Sequence, residues 1–170
     1  AFEAAEKMNF EQDVMILPSC NHNSNYFHAR TDMLIKFDRP ISLKPYYERY
    51  KENARETMME VNSLVRSRIQ DMMLHVSDLE HYDQIDFLRE TGYGKKYARE
   101  HGFKPNYLPS RLLSDQQLVD GLQRATAEHP EEMEQIYKDT TEFALGIKKL
   151  GVRDWLFRRR HGIMAPMLRG

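Results

Sequence analysis

The hydrophobic pattern of this chain changes character at Pro40. Before it, Val14 to Pro18 is a short unbroken apolar run closed by proline, and Asp32 to Phe37 is a second run of strand length. Strands are therefore predicted near 13–18 and 32–37. The segment between them, Ser19 to Thr31, is rich in asparagine and reads as a turn-forming loop. Ahead of the first strand, Phe2, Ala5 and Met8 share one helical face, which predicts a short helix over Ala1 to Met8.

After Pro40 the strong periodicity is helical. Ser42 is placed to cap a short helix running to Tyr50, and Asn53-Ala54-Arg55-Glu56 has capping-box spacing. Behind that box Met58, Val61, Val65, Ile69, Met72 and Val76 recur at steps of three and four, which predicts a core-facing stripe. Leu79 to about Arg99 reads as one helix weakened by Gly92 and Gly94. HGFKPNYLPSR then breaks the pattern as a loop. Ser114-Asp115-Gln116-Gln117 is a second capping box, opening a helix with Leu118, Leu122 and Ala125 on one side. It stops near His129, and Pro130 opens the next helix. There the stripe Met133, Ile136, Tyr137, Thr140, Phe143, Ala144 and Ile147 needs a partner helix. The predicted class is α+β, mainly helical.

Composition narrows the function classes. At 170 residues, 41% hydrophobic and 30% charged, the chain has ordinary soluble-protein composition and enough length for one or two packed units. Its net charge of −1 provides no field for nucleic acid, so no nucleic-acid partner is expected. The single cysteine, Cys20, excludes an internal disulfide and a cysteine-rich zinc site, and reads as an inert thiol. No run approaches the roughly 20 apolar residues that span a bilayer. The chain begins without Met in a segment already helical in pattern, and reads as cut from something longer.

Among candidates for chemistry, His81 and Asp86 form a literal His-x4-Asp. On a helix, positions five apart point about 140° away from each other, so the two side chains are not expected to work as a base and its orienting carboxylate. His22, His28 and Asp32 lack the spacing that fixes zinc geometry, and no metal site is expected. Arg30, just before a strand, offers a donor fork to a phosphate or an ion pair to Asp32 or Asp38. Residues 148–170 carry Lys148, Lys149, Arg153, Arg158, Arg159, Arg160 and Arg169 against Asp154 alone, a net +6, interleaved with Trp155 and Phe157. Arg158, Arg159, Arg160 and Trp155 suit an anionic membrane surface. A solvated helix end is the other reading.

The order of features in residues 1–76 resembles the later part of the phospholipid/glycerol acyltransferase domain, the family of 1-acylglycerol-3-phosphate and glycerol-3-phosphate acyltransferases. The matching elements are a helix, a strand ending in Ile16-Leu17-Pro18, a loop with Asn25-Tyr26 and Phe27-His28-Ala29-Arg30, and a second strand closing on Asp38-Arg39-Pro40-Ile41. Asp38 stands where the family has glycine. The resemblance implies a bacterial enzyme of phospholipid biosynthesis that moves an acyl group from acyl-CoA or acyl carrier protein to a glycerol-phosphate or lysophospholipid hydroxyl. It implies work at the cytoplasmic face of a membrane, without a cofactor. The family's His-x4-Asp base and Glu-Gly-x-x-Arg acceptor motif lie upstream of the Pro-terminated strand, so no catalytic residue is carried here. Pro18 maps to the motif bordering the active cleft and Arg30 to a recurrent position of the family; both are taken as substrate-binding candidates.

On this reading residues 1–76 contribute a strand pair to an α/β acyltransferase sheet, and 77–170 form a helical carboxy-terminal extension. The fragment by itself is expected to be soluble and inactive. Exposed strand edges would allow a homo-oligomer. The competing reading is a non-catalytic helical interaction or lipid-surface module.

Overall fold

The computed structural model describes residues 1–24 and 31–152. The fold is α+β and mainly helical, as predicted, with two small antiparallel strand pairs. The chain divides into two compact units, Ala1–Leu74 and His75–Gly170.

The first unit opens with α1 (Phe2–Lys7), whose Phe2 and Ala5 are buried. Asn9 and Phe10 both adopt left-handed backbone conformations, with φ of 51° and 58°, uncommon outside glycine. That turn lets the Phe10 N–H donate to the Ala5 carbonyl at 2.8 Å. It also brings the Phe10 ring edge-on to Tyr47, with centroids 5.1 Å apart. Phe2 stacks on Tyr50 at 4.2 Å. Leu43, Tyr47 and Val61 complete the buried cluster.

Among the described residues four strands follow: β1 (Met15–Ile16), β2 (Ser19–Asn23), β3 (Met33–Phe37) and β4 (Ile41–Ser42). β1 pairs with β4, and β2 with β3 in the register Ser19↔Phe37 to Asn23↔Met33. The second predicted strand agrees with β3. The first does not: only Met15 and Ile16 of 13–18 are strand, and the predicted loop begins with the five residues of β2. Pro18 lacks the N–H a ladder needs. It therefore ends pairing with β4, while its carbonyl accepts the Asp38 N–H at 3.0 Å and starts the pairing with β3.

Ser42 does not cap a helix. It lies in β4 and donates its hydroxyl to Asp13 Oδ2 at 2.7 Å, while Asp13 Oδ1 accepts the Lys44 N–H at 3.1 Å. The orphan donor at the start of the 3₁₀ turn Lys44–Tyr46 is thus satisfied from far upstream. The turn leads into α2 (Tyr47–Glu52) and α3 (Ala54–Met72). Tyr47 anchors β1 by donating to the Gln12 carbonyl at 2.8 Å and accepting the Val14 N–H at 2.9 Å. Asn53 caps α3, its Oδ1 accepting the Glu56 N–H at 3.3 Å. The inward face of α3 is Thr57, Val61 and Met72, while Met58 of the predicted stripe is exposed.

The second unit holds α4 (Tyr82–Glu90), α5 (Gly92–Glu100), α6 (Leu108–Glu128) and α7 (Pro130–Lys149). The single helix predicted over 79–99 is broken at Thr91, which ends α4 and precedes α5. α6 starts six residues before the second predicted capping box, with Pro109 in its first turn where no backbone donor is needed. Ser114 and Asp115 are therefore buried inside a helix instead of capping one. Ile85, Leu112, Leu118, Val119, Leu122, Met133 and Tyr137 form the apolar interior. Among the described residues no helix is long and apolar enough to cross a membrane.

Candidate functional site

Of the residues assigned to substrate or membrane in the sequence, Pro18 alone lies among the described positions, buried at the junction of β1 and β2. Arg30, Trp155, Arg158, Arg159 and Arg160 lie outside them. Asp38, one of the two acids weighed as a partner for Arg30, is paired with Arg68 at 3.2 Å. Cys20 Sγ donates to the Met72 carbonyl at 3.6 Å, and Lys36 Nζ to the same oxygen at 3.1 Å, which fastens the hairpin to the end of α3. Among the described residues no three His, Cys, Asp or Glu side chains gather as metal ligands.

The strand pairs leave a large apolar surface in the first unit. Strand alternation puts Met33, Ile35 and Phe37 on one face of β3, and all three are exposed, as are Met15 and Leu17 at the outward positions around β1. Leu34 and Lys36, on the opposite face, are half-buried. A hollow of about 400 Å³ in the same unit is lined by Phe2, Ile16, Tyr50, Met58 and Val61, among others.

His81 and Asp86 do not meet as a dyad. Asp86 is engaged by Arg89, whose Nη2 donates to Oδ1 at 2.5 Å. His81 instead places Nδ1 2.9 Å from Asp78 Oδ2 and Nε2 3.2 Å from Glu134 Oε2, with its ring stacked on Tyr137 at 4.3 Å. The Asp78 hydrogen bond raises the imidazole pKa, with help from Glu134, against desolvation. Burial pushes Asp78 the other way from its net shift, which is downward because the His81 backbone and ring both hydrogen-bond it.

The sign of the resulting linkage is set by the raised imidazole value. The His81 contribution is complete below the unfolded pKa of about 6.5 and is lost as pH rises through the higher folded value. The Asp78 contribution is present above its ordinary carboxylate range and disappears as acid drives the pH through the lowered folded value. The urea midpoint of the helical unit should therefore fall as the pH rises from about 6.5 through the raised folded value of His81. His81→Gln should flatten that slope, and an unchanged slope in the variant would show that other groups set it.

A cluster that sequence reasoning missed lies where α4, α5 and α6 converge. Arg89 Nη1 is 3.1 Å from Asp115 Oδ2 and 2.8 Å from Glu90 Oε1, and Arg111 reaches Glu90 Oε2 at 2.9 Å and Asp115 Oδ2 at 3.5 Å. Burial raises the Asp115 pKa, opposed by Arg89 and Arg111, while Arg89 is held protonated by Glu90 and Asp86 despite its own burial. The adjoining cavity measures about 10 Å³. That is about the least space that holds one water, and the perturbed groups pair with one another where three helices meet.

A groove of about 710 Å³ lies between α4, α5 and α7. Phe87 and Leu88 of α4 and Ile136 and Phe143 of α7 form apolar walls, with Phe87 edge-on to Phe143 at 6.1 Å. α5 adds Tyr93, Lys96 and Arg99 from successive turns. Ile136 and Phe143 belong to the apolar stripe predicted to need a partner helix, but only Met133, Tyr137 and Thr140 of that stripe are buried. The three-residue spacing of Tyr93, Lys96 and Arg99 was the sequence signal for a cationic, aromatic face.

Comparison with protein-family models, with curated proteins and with solved structures finds no match to this chain.

Proposed function

We propose that this chain is the later part of a bacterial glycerolipid acyltransferase: Ala1–Leu74 completes a larger α/β catalytic domain and the helical unit is an accessory extension. The observation that carries the reading is the uncovered apolar surface on β1 and β3. Met15, Leu17, Met33, Ile35 and Phe37 are 47–66% exposed, and each such side chain contributes about 1.5–3 kcal/mol when fully buried. Exposed apolar patches of this kind mark surfaces that pack against other protein. The resemblance in the same residues names the cover: the upstream part of the domain, bearing the histidine base.

In the assembled enzyme that base takes the proton of a glycerol-phosphate or lysophospholipid hydroxyl. The oxygen attacks the thioester carbonyl of acyl-CoA or acyl carrier protein, and the thiol leaves. Pro18 and Arg30 are the positions the resemblance assigns to the segment bordering the cleft, and Trp155, Arg158, Arg159 and Arg160 would supply the charge and ring surface that an anionic cytoplasmic leaflet attracts. His81, held by Asp78 and Glu134, takes no part.

The test uses the chain alone and the chain joined to an upstream segment carrying the two missing motifs. The isolated chain should lack acyl transfer to glycerol 3-phosphate or lysophosphatidate, since a placed base contributes about 10²–10⁴-fold, and the joined protein should have it. Ile35→Asp with Phe37→Asp should abolish activity in the joined protein, whereas His81→Ala should leave most of it. Transfer by the isolated chain, or full activity with both aspartates in place, would overturn the proposal.

A further inference from the structure

We infer that the groove between α4, α5 and α7 binds a single-chain amphiphile with an anionic head, a carboxylate or a phosphate on one alkyl chain. Because the groove is built wholly within the helical unit, it needs nothing from the acyltransferase reading. Three observations converge on this ligand class.

The first is size. About 710 Å³ lies inside the roughly 300–1,000 Å³ of small-molecule sites. The second is the chemistry of the walls. Phe87, Leu88, Ile136 and Phe143 present hydrocarbon and ring surface, and Ile136 and Phe143 remain 44% and 47% exposed. Apolar side chains held open on two facing helices suit an alkyl chain.

The third observation is where the charge lies. Lys96 and Arg99 both stand on α5, one turn apart, so their heads are separated along the axis by about 4.5 Å of helix rise. Lys96 is only loosely engaged by Glu100 at 3.8 Å, and Arg99 makes no ion pair among the described residues. The acid opposite, Asp139, accepts the Gln135 side-chain amide at 2.7 Å. Two exposed cations at one wall against one carboxylate already in use give a site for one oxyanion, with the arginine supplying a forked donor.

The test titrates the full chain with dodecanoate, with lauroyl lysophosphatidate and with neutral methyl dodecanoate, each below its aggregation concentration. Binding is followed by calorimetry and by backbone amide shifts. An anion should move amides in 92–99 and 136–143, and bind more tightly than the ester. Lys96→Gln with Arg99→Gln should weaken anion binding about tenfold and leave the ester unchanged. Both positions are exposed, so the double variant should keep its helix content. Phe143→Asp, also at an exposed position, should abolish binding of all three.

Preference for dodecanoate identifies a fatty-acid site, and preference for lysophosphatidate a lysophospholipid site; equal binding shows that the head is read as charge. No shift with either anion, shifts outside the groove, equal binding of ester and anion, or an unaffected double variant would each overturn the inference. So would groove amides that respond to protein concentration alone, which would make the occupant a second copy.

Discussion

Asp115→Ala should destabilise the helical unit by about 3–5 kcal/mol, the cost of removing one partner from a buried charged network. The Asp115 side chain is 4% exposed and the Arg89 side chain 11%, so water does not replace the missing carboxylate. Arg89 would keep Asp86 and Glu90 and Arg111 would keep Glu90, but the Arg89–Asp115 bond between α4 and α6 and the Arg111–Asp115 pair would both be lost. The discriminating measurement is a double-variant cycle in urea with Arg89→Met and Asp115→Leu, read from amide exchange in α6. Removing both charges should cost less than the two single changes added together, because neither partner is then left buried and alone. Additive losses, or an Asp115→Ala protein within about 0.5 kcal/mol of the parent, the range of ordinary surface substitutions, would mean that the cluster is not a coupled network.

How far this architecture was legible depends on whether a signal was local. Asn53 and Glu56 sit three apart, and their cap is made in the structure as the spacing predicts. Pro130 starts α7 because proline's missing donor and fixed φ suit a helix start in almost any surroundings. The Ser114 spacing looked the same as that of Asn53 and was misleading. Pro109 opened the helix earlier, and Asp115 was claimed by Arg89, 26 residues away, as no local rule could show.

β2 was hidden for a related reason. Asn21, His22 and Asn23 are poor strand formers, yet each faces an apolar residue of β3 whose backbone needs a partner. The Ser42 cap failed because Asp13, distant in sequence, supplies the oxygen. At the candidate sites, periodicity identified Ile136 and Phe143 as apolar but not as open. Whether an apolar stripe is covered depends on helix lengths and crossings, and here α5, split from α4 at Thr91, opens the groove.

That split rests on Gly94, and Gly94→Ala should be the opposite of the usual helical substitution. Inside an exposed helix, replacing glycine by alanine gains about 1 kcal/mol because glycine loses more chain freedom on folding. At Gly94 a Cβ would overlap the Arg89 carbonyl oxygen and come within 2.8 Å of the carbonyl carbon. Both belong to backbone at the end of α4, so no rotamer change relieves the clash and α5 must move away. Overpacking of this kind costs about 1–3 kcal/mol, occasionally more, and here it outweighs the propensity gain. The shift would also pull at Arg89 and its bond to Asp115, since Gly94, Arg89 and Asp115 line the same small cavity. Gly121 in α6 and Gly146 in α7 have open space where a Cβ would go. Gly121→Ala and Gly146→Ala should therefore raise the urea midpoint of the helical unit while Gly94→Ala lowers it. A stabilised Gly94→Ala protein would show that α5 does not approach the end of α4 this closely.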